Sequence, residues 1–175
     1  MAQKLPPHEF EQLIKNAPLV SIDLVVRTRT GKVLLGRRSN DPAKEFFFVP
    51  GGRIFKDERI EEAFSRLAME ELGLRLKIAD ARSLGVHQHF YPTNVFGTQG
   101  FGTHYVVLAY ELLRDEEIQH LPKGQHSEYQ WMTMEQALGH PEVHPNSKAY
   151  LHNRTGSQNF EQEETKGGKS HPGFH

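Results

Sequence analysis

The sequence predicts a single mixed α/β (α+β) domain in which a sheet of short strands packs against a few helices. The length of 175 residues fits one domain with one hydrophobic core. Segments in which apolar and polar residues alternate, as in strands, are interspersed with segments whose apolar residues recur at helical spacing. No internal repeat divides the chain, so the elements are expected to build one architecture.

The first third of the chain predicts one helix and three strands. Phe10, Leu13 and Ile14 share a helical face, and Pro18 ends that helix. A turn at residues 30–32 separates the first two strands, and the Pro-Gly-Gly sequence at 50–52 breaks the third. The three strands are predicted at residues 19–27, 33–37 and 46–49.

A longer helix and three more strands are predicted in the middle of the chain. Asp57 is the predicted N-cap of a helix over residues 58–72, and Gly73 is its natural stop. Residues 91–102 are rich in Gly, Asn and Thr and predict a mobile loop. The strands are predicted at residues 74–78, 83–90 and 103–112.

The last part of the chain predicts a strand, two helices and a tail. A polar loop at 115–127 precedes a strand at 129–132. Thr133 and Gln136 form a capping box for a short helix, and Asn146 begins a last helix that ends near residue 154. The sequence therefore predicts one domain at residues 1–155, followed by a disordered tail at 156–175 that is rich in polar residues and glycine.

Composition excludes several classes of function. The chain has 21 Lys and Arg against 22 Asp and Glu, so it lacks the basic field that a nucleic-acid partner needs. It has no cysteine, which excludes disulfides, thiolate metal sites and cysteine nucleophiles. No apolar stretch resembles a signal peptide or a membrane span, so no membrane partner is expected and a cytoplasmic location is the default.

One segment, residues 52–74, has the composition of a metal and phosphate site. The paired glycines before it expose backbone groups to a ligand. Successive helical residues are about 100° apart, so positions 67, 70 and 71 lie on one side of the predicted helix. Carboxylates beside exposed carbonyls suit a hard cation such as Mg²⁺, which neutralises a diphosphate. The charged residues that suit this role are Glu58, Arg66, Glu70 and Glu71.

This segment resembles the signature of the Nudix hydrolases, G-x(5)-E-x(7)-R-E-U-x-E-E-x-G-U, in which U is apolar. Every fixed position matches except one, because Leu67 stands where the family has a glutamate. The resemblance implies the Nudix fold, a central mixed β-sheet sandwiched between α-helices. An ordinary amphipathic helix with surface glutamates would not reproduce the complete spacing.

The missing glutamate leaves two interpretations open. Typical Nudix enzymes attack phosphorus, and their glutamate triad gathers more than one metal. Leucine neither binds a metal nor accepts a proton. Leu67 therefore marks either a degenerate, non-catalytic Nudix domain or an enzyme whose chemistry has moved away from phosphorus and needs fewer metals.

Within the Nudix family the chain is similar to the GDP-mannose mannosyl hydrolases, in which this position is also leucine. That resemblance implies hydrolysis of GDP-mannose, or of GDP-glucose, to GDP and free sugar, with water attacking sugar C1 and inverting it. It further implies Mg²⁺ or Mn²⁺ as cofactor, a small nucleotide sugar as the bound partner, and a homodimer. The similar segments lie at residues 18–23, 34–38, 48–53, 88–91, 103–108, 125–126 and 146–150.

The same resemblance implies a role for ten residues. The general base would be His126, in a mobile polar loop. The residues that would hold and stabilise the departing diphosphate are Arg38, Arg53 and Tyr105. Those that would bind the sugar are Asp23 and His89, while Arg66 would orient carboxylates or touch phosphate. The Mg²⁺ ligands would be Glu71, Gln125 and the carbonyl of Gly51.

Alternatives remain at the level of single residues and of function. Taken alone, His126 is an ordinary loop histidine, Asp23 an exposed strand residue and Tyr105 a core aromatic. His87 and His89 lie on one strand face, but no third ligand is placed by spacing, so a zinc site is rejected. The alternative functions are a nucleotide-sugar pyrophosphatase that attacks phosphorus and a non-catalytic nucleotide-binding Nudix domain.

Overall fold

A computed structural model describes residues 4–122, 124 and 126–152. Its α-helices are Pro7–Asn16 (α1), Ile60–Leu72 (α2), Met134–Gly139 (α3) and Pro145–His152 (α4). Its strands are Leu19–Thr28 (β1), Lys32–Arg38 (β2), Phe47–Phe48 (β3), Gly51–Arg53 (β4), Arg82–Tyr91 (β5), Thr103–Arg114 (β6) and His126–Thr133 (β7). A single 3₁₀ turn spans Ile78–Asp80. The predicted tail, the end of the last helix and Gln125 lie outside the described residues.

The strands form one mixed sheet around β1. The order is β3-β2-β1-β6-β5, with β4 paired to β1 and β7 paired to β2. The β1–β6 pair is parallel, and the other pairs are antiparallel. Because β1 is the central strand and is buried on both faces, its side chains are fixed by packing from two sides.

Helices cover both faces of the sheet. On one face α2 packs Phe64, Leu67 and Leu72 against Ile22 and Leu24 of β1. On the other face α3 and α4 close a second apolar cluster that includes Val25, Leu35, Phe47, Tyr150 and Leu151. This confirms the predicted sheet sandwiched between helices. In the described part of the chain, no helix combines the length and the apolar character needed to cross a membrane.

The start of α2 differs from the prediction. Asp57 has a φ of 63°, outside the helical region, and the helix begins at Ile60 with Arg59 as its N-cap. The carboxylate of Glu58 instead accepts a hydrogen bond from the Phe55 amide at 2.9 Å and so closes a turn before the helix. The predicted C-terminal stop is confirmed, because Gly73 is left-handed and its amide bonds back to Met69 at 3.0 Å.

The predicted break at Pro-Gly-Gly is confirmed, since β3 ends at Phe48 and a separate strand, β4, forms directly after Pro50 and pairs with β1. Two other predictions were wrong in detail. Residues 74–77 form no strand, because Leu74 and Leu76 lie against the α2 cluster without pairing to the sheet. His126 is not in a loop: it is the first residue of β7, lies opposite Arg38 in β2 and is buried.

Arg27 joins the far end of β1 to β6 through a buried ion pair and to α4 through a hydrogen bond. The Nε of Arg27 in β1 lies 3.1 Å from a carboxylate oxygen of Glu111 in β6, and both side chains are buried. The second oxygen of Glu111 lies 3.0 Å from Arg82 on β5. Arg27 also donates a hydrogen bond of 3.2 Å to the carbonyl of Tyr150. The end of α4 is thus tied to the centre of the sheet by a charged group.

Candidate active site

A cavity of about 570 Å³ opens beside β1, β4 and β6. Eight of the ten residues that the sequence analysis singled out line it: Asp23, Arg38, Gly51, Arg53, Arg66, His89, Tyr105 and His126. Glu71 lies directly behind His126, and Gln125 is outside the described residues. Residues from distant parts of the chain therefore meet at one concave site, as expected of a ligand pocket.

His126 and Glu71 form a buried pair at the inner wall. The Nε2 of His126 lies 3.4 Å from a carboxylate oxygen of Glu71, and both side chains are about 5% exposed or less. The other ring nitrogen of His126 has no hydrogen-bond partner among the described residues. A histidine that is held at one nitrogen and uncommitted at the other has the arrangement of an oriented acid or base.

Gly36 makes room for the His126 ring. A Cβ at position 36 would lie 2.5 Å from the ring's Cγ and Nδ1, closer than packed carbon atoms approach. Gly36 lies in the middle of β2, which pairs with β7. The His126 ring therefore packs directly against the backbone of Gly36. The position of His126 thus depends on a glycine that the sequence analysis did not identify.

Arg66 binds two of the carboxylates in the segment at residues 52–74. Its guanidinium binds both oxygens of Glu58, at 2.6 and 2.9 Å, and one oxygen of Glu70 at 2.9 Å. It also donates to the carbonyl of Arg53 at 3.0 Å. The hydrogen bond from Arg66 is the main reason that the pKa of Glu58 is lowered. Of the two roles implied for Arg66, this geometry favours orienting carboxylates.

Leu67 belongs to the core rather than to the polar part of the site. It is 1% exposed and packs in the cluster beneath α2. A Cβ on Gly52 would lie 2.6 Å from a methyl group of Leu67, so the leucine fills the space under the glycine. No carboxylate takes the place of the family's first glutamate, because Glu58 and Glu70 are both held by Arg66.

The end of the cavity near α4 is a hydrogen-bonding cluster, called the Tyr150 end, in which His89 is uncharged. Asp23 accepts a hydrogen bond of 2.7 Å from the hydroxyl of Tyr150, whose oxygen also lies 3.2 Å from the Nε2 of His89. Burial raises the pKa of Asp23 to about 6, although Tyr150 and Arg38 oppose the shift. Burial also lowers the pKa of His89 to about 4, with smaller contributions from His87 and His144. His89 is therefore uncharged at neutral pH.

The opposite end is cationic and aromatic. The guanidinium of Arg53 lies 3.7 Å from the ring centroid of Phe10 in α1 and 5.2 Å from that of Phe55. Burial raises the pKa of Tyr105, while the charges of Arg38 and Arg53 lower it. The Tyr105 hydroxyl therefore stays protonated at neutral pH and is available as a donor. Two arginines and a phenol suit the oxygens of a diphosphate.

The 91–102 loop forms part of the outer wall. Fully buried Asn94 organises the loop, donating to the carbonyls of Thr98 and Phe101 and accepting from the amides of Phe96 and Thr98. Phe96 then packs edge-on against Phe10, with ring centroids 5.8 Å apart. The loop thus brings an aromatic side chain to the cavity, a contribution that its polar composition did not predict.

Sequence reasoning also missed the aromatic support of the Tyr150 end. Tyr150 contacts Asp23 and His89 directly, and Tyr91 lines the cavity and accepts a hydrogen bond from Asn146 at 3.1 Å. The available signals were the resemblances of residues 88–91 and 146–150, which marked both segments without assigning a role to Tyr91 or Tyr150.

Comparison with known proteins defines the class. The NUDIX domain model matches residues 17–153, more than half of the chain. A solved MutT Nudix hydrolase from Burkholderia pseudomallei superposes with a TM-score of 0.64 at 25% identity, covering 80% of this chain and 100% of that one. The chain therefore belongs to the Nudix family of hydrolases.

Two characterised relatives are similar over shorter spans. The low-salt glycan biosynthesis protein Agl8 of Haloferax volcanii is 43% identical over 115 residues, which is 65% of this chain and 70% of that protein. The ADP-ribose pyrophosphatase of Methanocaldococcus jannaschii is 39% identical over 70 residues, 40% of each chain.

The buried Asp23 carboxylate is expected to cost stability at neutral pH. Its pKa in the folded protein, about 6, exceeds its ordinary value of 3.8, so folding favours the protonated form. The resulting stability is present below about pH 4 and is lost as pH rises through about 6. Asp23→Asn should therefore gain up to roughly 3 kcal/mol over the natural protein between these pH values.

Chemical denaturation of both proteins in EDTA, from acidic to neutral pH, measures this difference. The advantage of Asp23→Asn should grow as pH rises. A constant difference across the range would mean that Asp23 titrates normally in the folded state.

Proposed function

We propose that the protein hydrolyses GDP-mannose to GDP and free mannose, with water attacking C1 of the sugar and inverting it. The observation that carries this proposal is the burial of Leu67 beneath Gly52, where the family signature has a glutamate. Since Arg66 binds Glu58 and Glu70, the carboxylate of segment 52–74 that faces His126 is Glu71.

Attack at carbon makes smaller demands on metal charge than attack at phosphorus. At phosphorus, negative charge gathers around the atom under attack, and metals that also activate the water are needed. At C1 the transition state has oxocarbenium character, and negative charge develops on the leaving diphosphate. A site with one carboxylate beside the general base and arginines around the diphosphate fits the charge distribution of attack at C1.

His126 is the proposed general base. Its Nε2 is near Glu71, and a neighbouring carboxylate can orient an imidazole and stabilise its charged form after proton transfer. The imidazole of His126, which lines the cavity, is the candidate proton acceptor. Inverting sugar transfer needs such a base on the side from which water approaches.

Arg38, Arg53 and Tyr105 hold the departing diphosphate in this proposal. The two guanidiniums supply fixed positive charge, and the buried phenol supplies a hydrogen bond. A leaving group that departs as a stabilised anion needs no protein acid. Asp23 and His89, at the Tyr150 end of the cavity, bind the sugar hydroxyls in this proposal.

Nudix hydrolases generally use a divalent metal such as Mg²⁺, and the residues present fit a single ion. In the described ranges, no group of three acidic or histidine side chains converges as a metal site. Glu71 and the carbonyl of Gly51 are hard oxygen donors of the type Mg²⁺ prefers, and the resemblance adds Gln125. A Cβ at position 51 would lie 2.4 Å from the Ile22 carbonyl, so glycine is needed for this backbone approach. When bound, the ion would neutralise charge on the diphosphate.

Relatives support the substrate class without identifying the substrate. The name of Agl8 places that protein in glycan biosynthesis, a process that uses activated sugars. The name of the second relative, an ADP-ribose pyrophosphatase, favours the alternative reaction at phosphorus. Its similarity, however, covers only 40% of this chain. The homodimer implied by the resemblance stays a prediction.

Product analysis tests the substrate proposal. With GDP-mannose and Mg²⁺, anion-exchange chromatography should show GDP and free mannose accumulating in equal amounts. GMP together with mannose phosphate would support the pyrophosphatase instead. Lack of turnover with Mg²⁺ or Mn²⁺ would favour a non-catalytic nucleotide-binding domain.

His126→Gln should lower kcat by roughly 10²–10⁴-fold, the usual contribution of a general base. Glutamine keeps hydrogen-bonding capacity but does not accept the proton. The natural enzyme should gain activity as pH rises and level off once the imidazole is neutral, and this acidic limb should disappear in the variant. His89→Gln is the matched comparison, because loss of a sugar contact should raise KM and leave the limb in place.

The measurement is kcat against pH for the three proteins. If His126→Gln retained the acidic limb and lost only a few-fold in kcat, another group would be the base.

A further inference from the structure

Tyr150, a residue of α4, is buried and contacts two residues that line the cavity, Asp23 and His89. Its ring is 2% exposed. Its hydroxyl oxygen lies 2.7 Å from Asp23 and 3.2 Å from the Nε2 of His89. The two residues assigned to the sugar therefore touch the same phenol.

The arrangement of protons in this cluster follows from the number of donors. A tyrosine has one hydroxyl proton, and an ionised carboxylate only accepts hydrogen bonds. The proton of Tyr150 is therefore donated to Asp23, and the Tyr150 oxygen accepts from the Nε2–H of His89. Since burial keeps His89 neutral, its single ring proton is on Nε2 and its Nδ1 is an acceptor.

Both ends of Tyr150 are held. Its carbonyl accepts a hydrogen bond of 3.2 Å from Arg27, which pairs with Glu111. The ring of His87 packs edge-on against it, with centroids 4.9 Å apart. A residue whose backbone carbonyl is held by a buried arginine and whose ring is packed against His87 has little freedom to move its hydroxyl.

We propose that Tyr150 is the positioning residue of the sugar site, where it orients the Asp23 carboxylate and keeps the His89 proton on Nε2. The site then offers the sugar two acceptors, the second carboxylate oxygen of Asp23 and the Nδ1 of His89. A sugar hydroxyl can donate to either acceptor, so this arrangement favours a nucleotide that carries mannose over the nucleotide without it. The inference rests on the proposed function for the identity of the sugar.

Kinetics separate this role from general support of the fold. Tyr150→Phe keeps the ring and removes the hydroxyl, so KM for GDP-mannose should rise about tenfold, the effect of roughly one well-placed hydrogen bond. The inhibition constant of GDP should not change, because GDP lacks the mannose ring that this part of the site would contact. Tyr110→Phe, in the cluster on the other face of the sheet, is the matched control and should change neither constant.

Equal changes in KM and in the GDP inhibition constant of Tyr150→Phe would overturn the proposal, since they would indicate a general distortion. No change in either constant would also overturn it.

The tautomer of His89 gives a test that does not depend on turnover. Long-range ¹H–¹⁵N correlation spectra at about pH 8, above the pKa values cited for the cluster, should show His89 protonated on Nε2 in the natural protein. The resonances are assigned by their absence from His89→Gln. Tyr150→Phe should redistribute the proton between the nitrogens, and Tyr110→Phe should not.

A proton on Nδ1 in the natural protein would refute the proposed role of Tyr150, even if Tyr150→Phe failed to fold. An unchanged tautomer in a folded Tyr150→Phe would refute it as well. If GDP-mannose were not hydrolysed at all, the proposed substrate would be wrong, and the spectra would still decide the role of Tyr150.

Discussion

The guanidinium of Arg66 joins the parts of the Nudix segment into one unit. It binds Glu58 before α2, Glu70 on α2 and the carbonyl of Arg53 at the end of β4. These contacts fix the helix against the short strand and neutralise two carboxylates. Because Leu67 fills the remaining position from the core side, the negative charge that faces His126 comes from Glu71. The rest of the site follows from this distribution of charge.

The cavity brings cationic and hydrogen-bonding side chains together. Arg38, Arg53 and the protonated phenol of Tyr105 suit a diphosphate. At the Tyr150 end, burial keeps His89 uncharged and raises the pKa of Asp23 to about 6, while the charge of Arg38 acts on this carboxyl group and opposes the shift. A nucleotide sugar likewise joins an anionic diphosphate to a neutral polyhydroxylated ring.

The sequence predicted the local features better than the long-range ones. The spacing of the Nudix segment predicted α2 and its stop at Gly73, because these features depend on residues that are close together in sequence. It did not predict which carboxylates Arg66 binds. It missed Tyr150, which meets Asp23 across 127 residues of sequence. His126 was placed in a loop because polar residues surround it, whereas pairing with β2 draws it into the sheet. Residues 74–77 have alternating leucines that pack on a cluster without strand pairing.

Hydrolysis in ¹⁸O-labelled water most directly tests the claim that the reaction has moved from phosphorus to carbon. GDP and mannose would also be the products if water attacked the β-phosphorus, so the position of the label decides. Mass spectrometry should find ¹⁸O in the mannose and none in the GDP, because water attacks C1. Label in the phosphate of GDP would contradict the account and would mean that Leu67 does not redirect the chemistry.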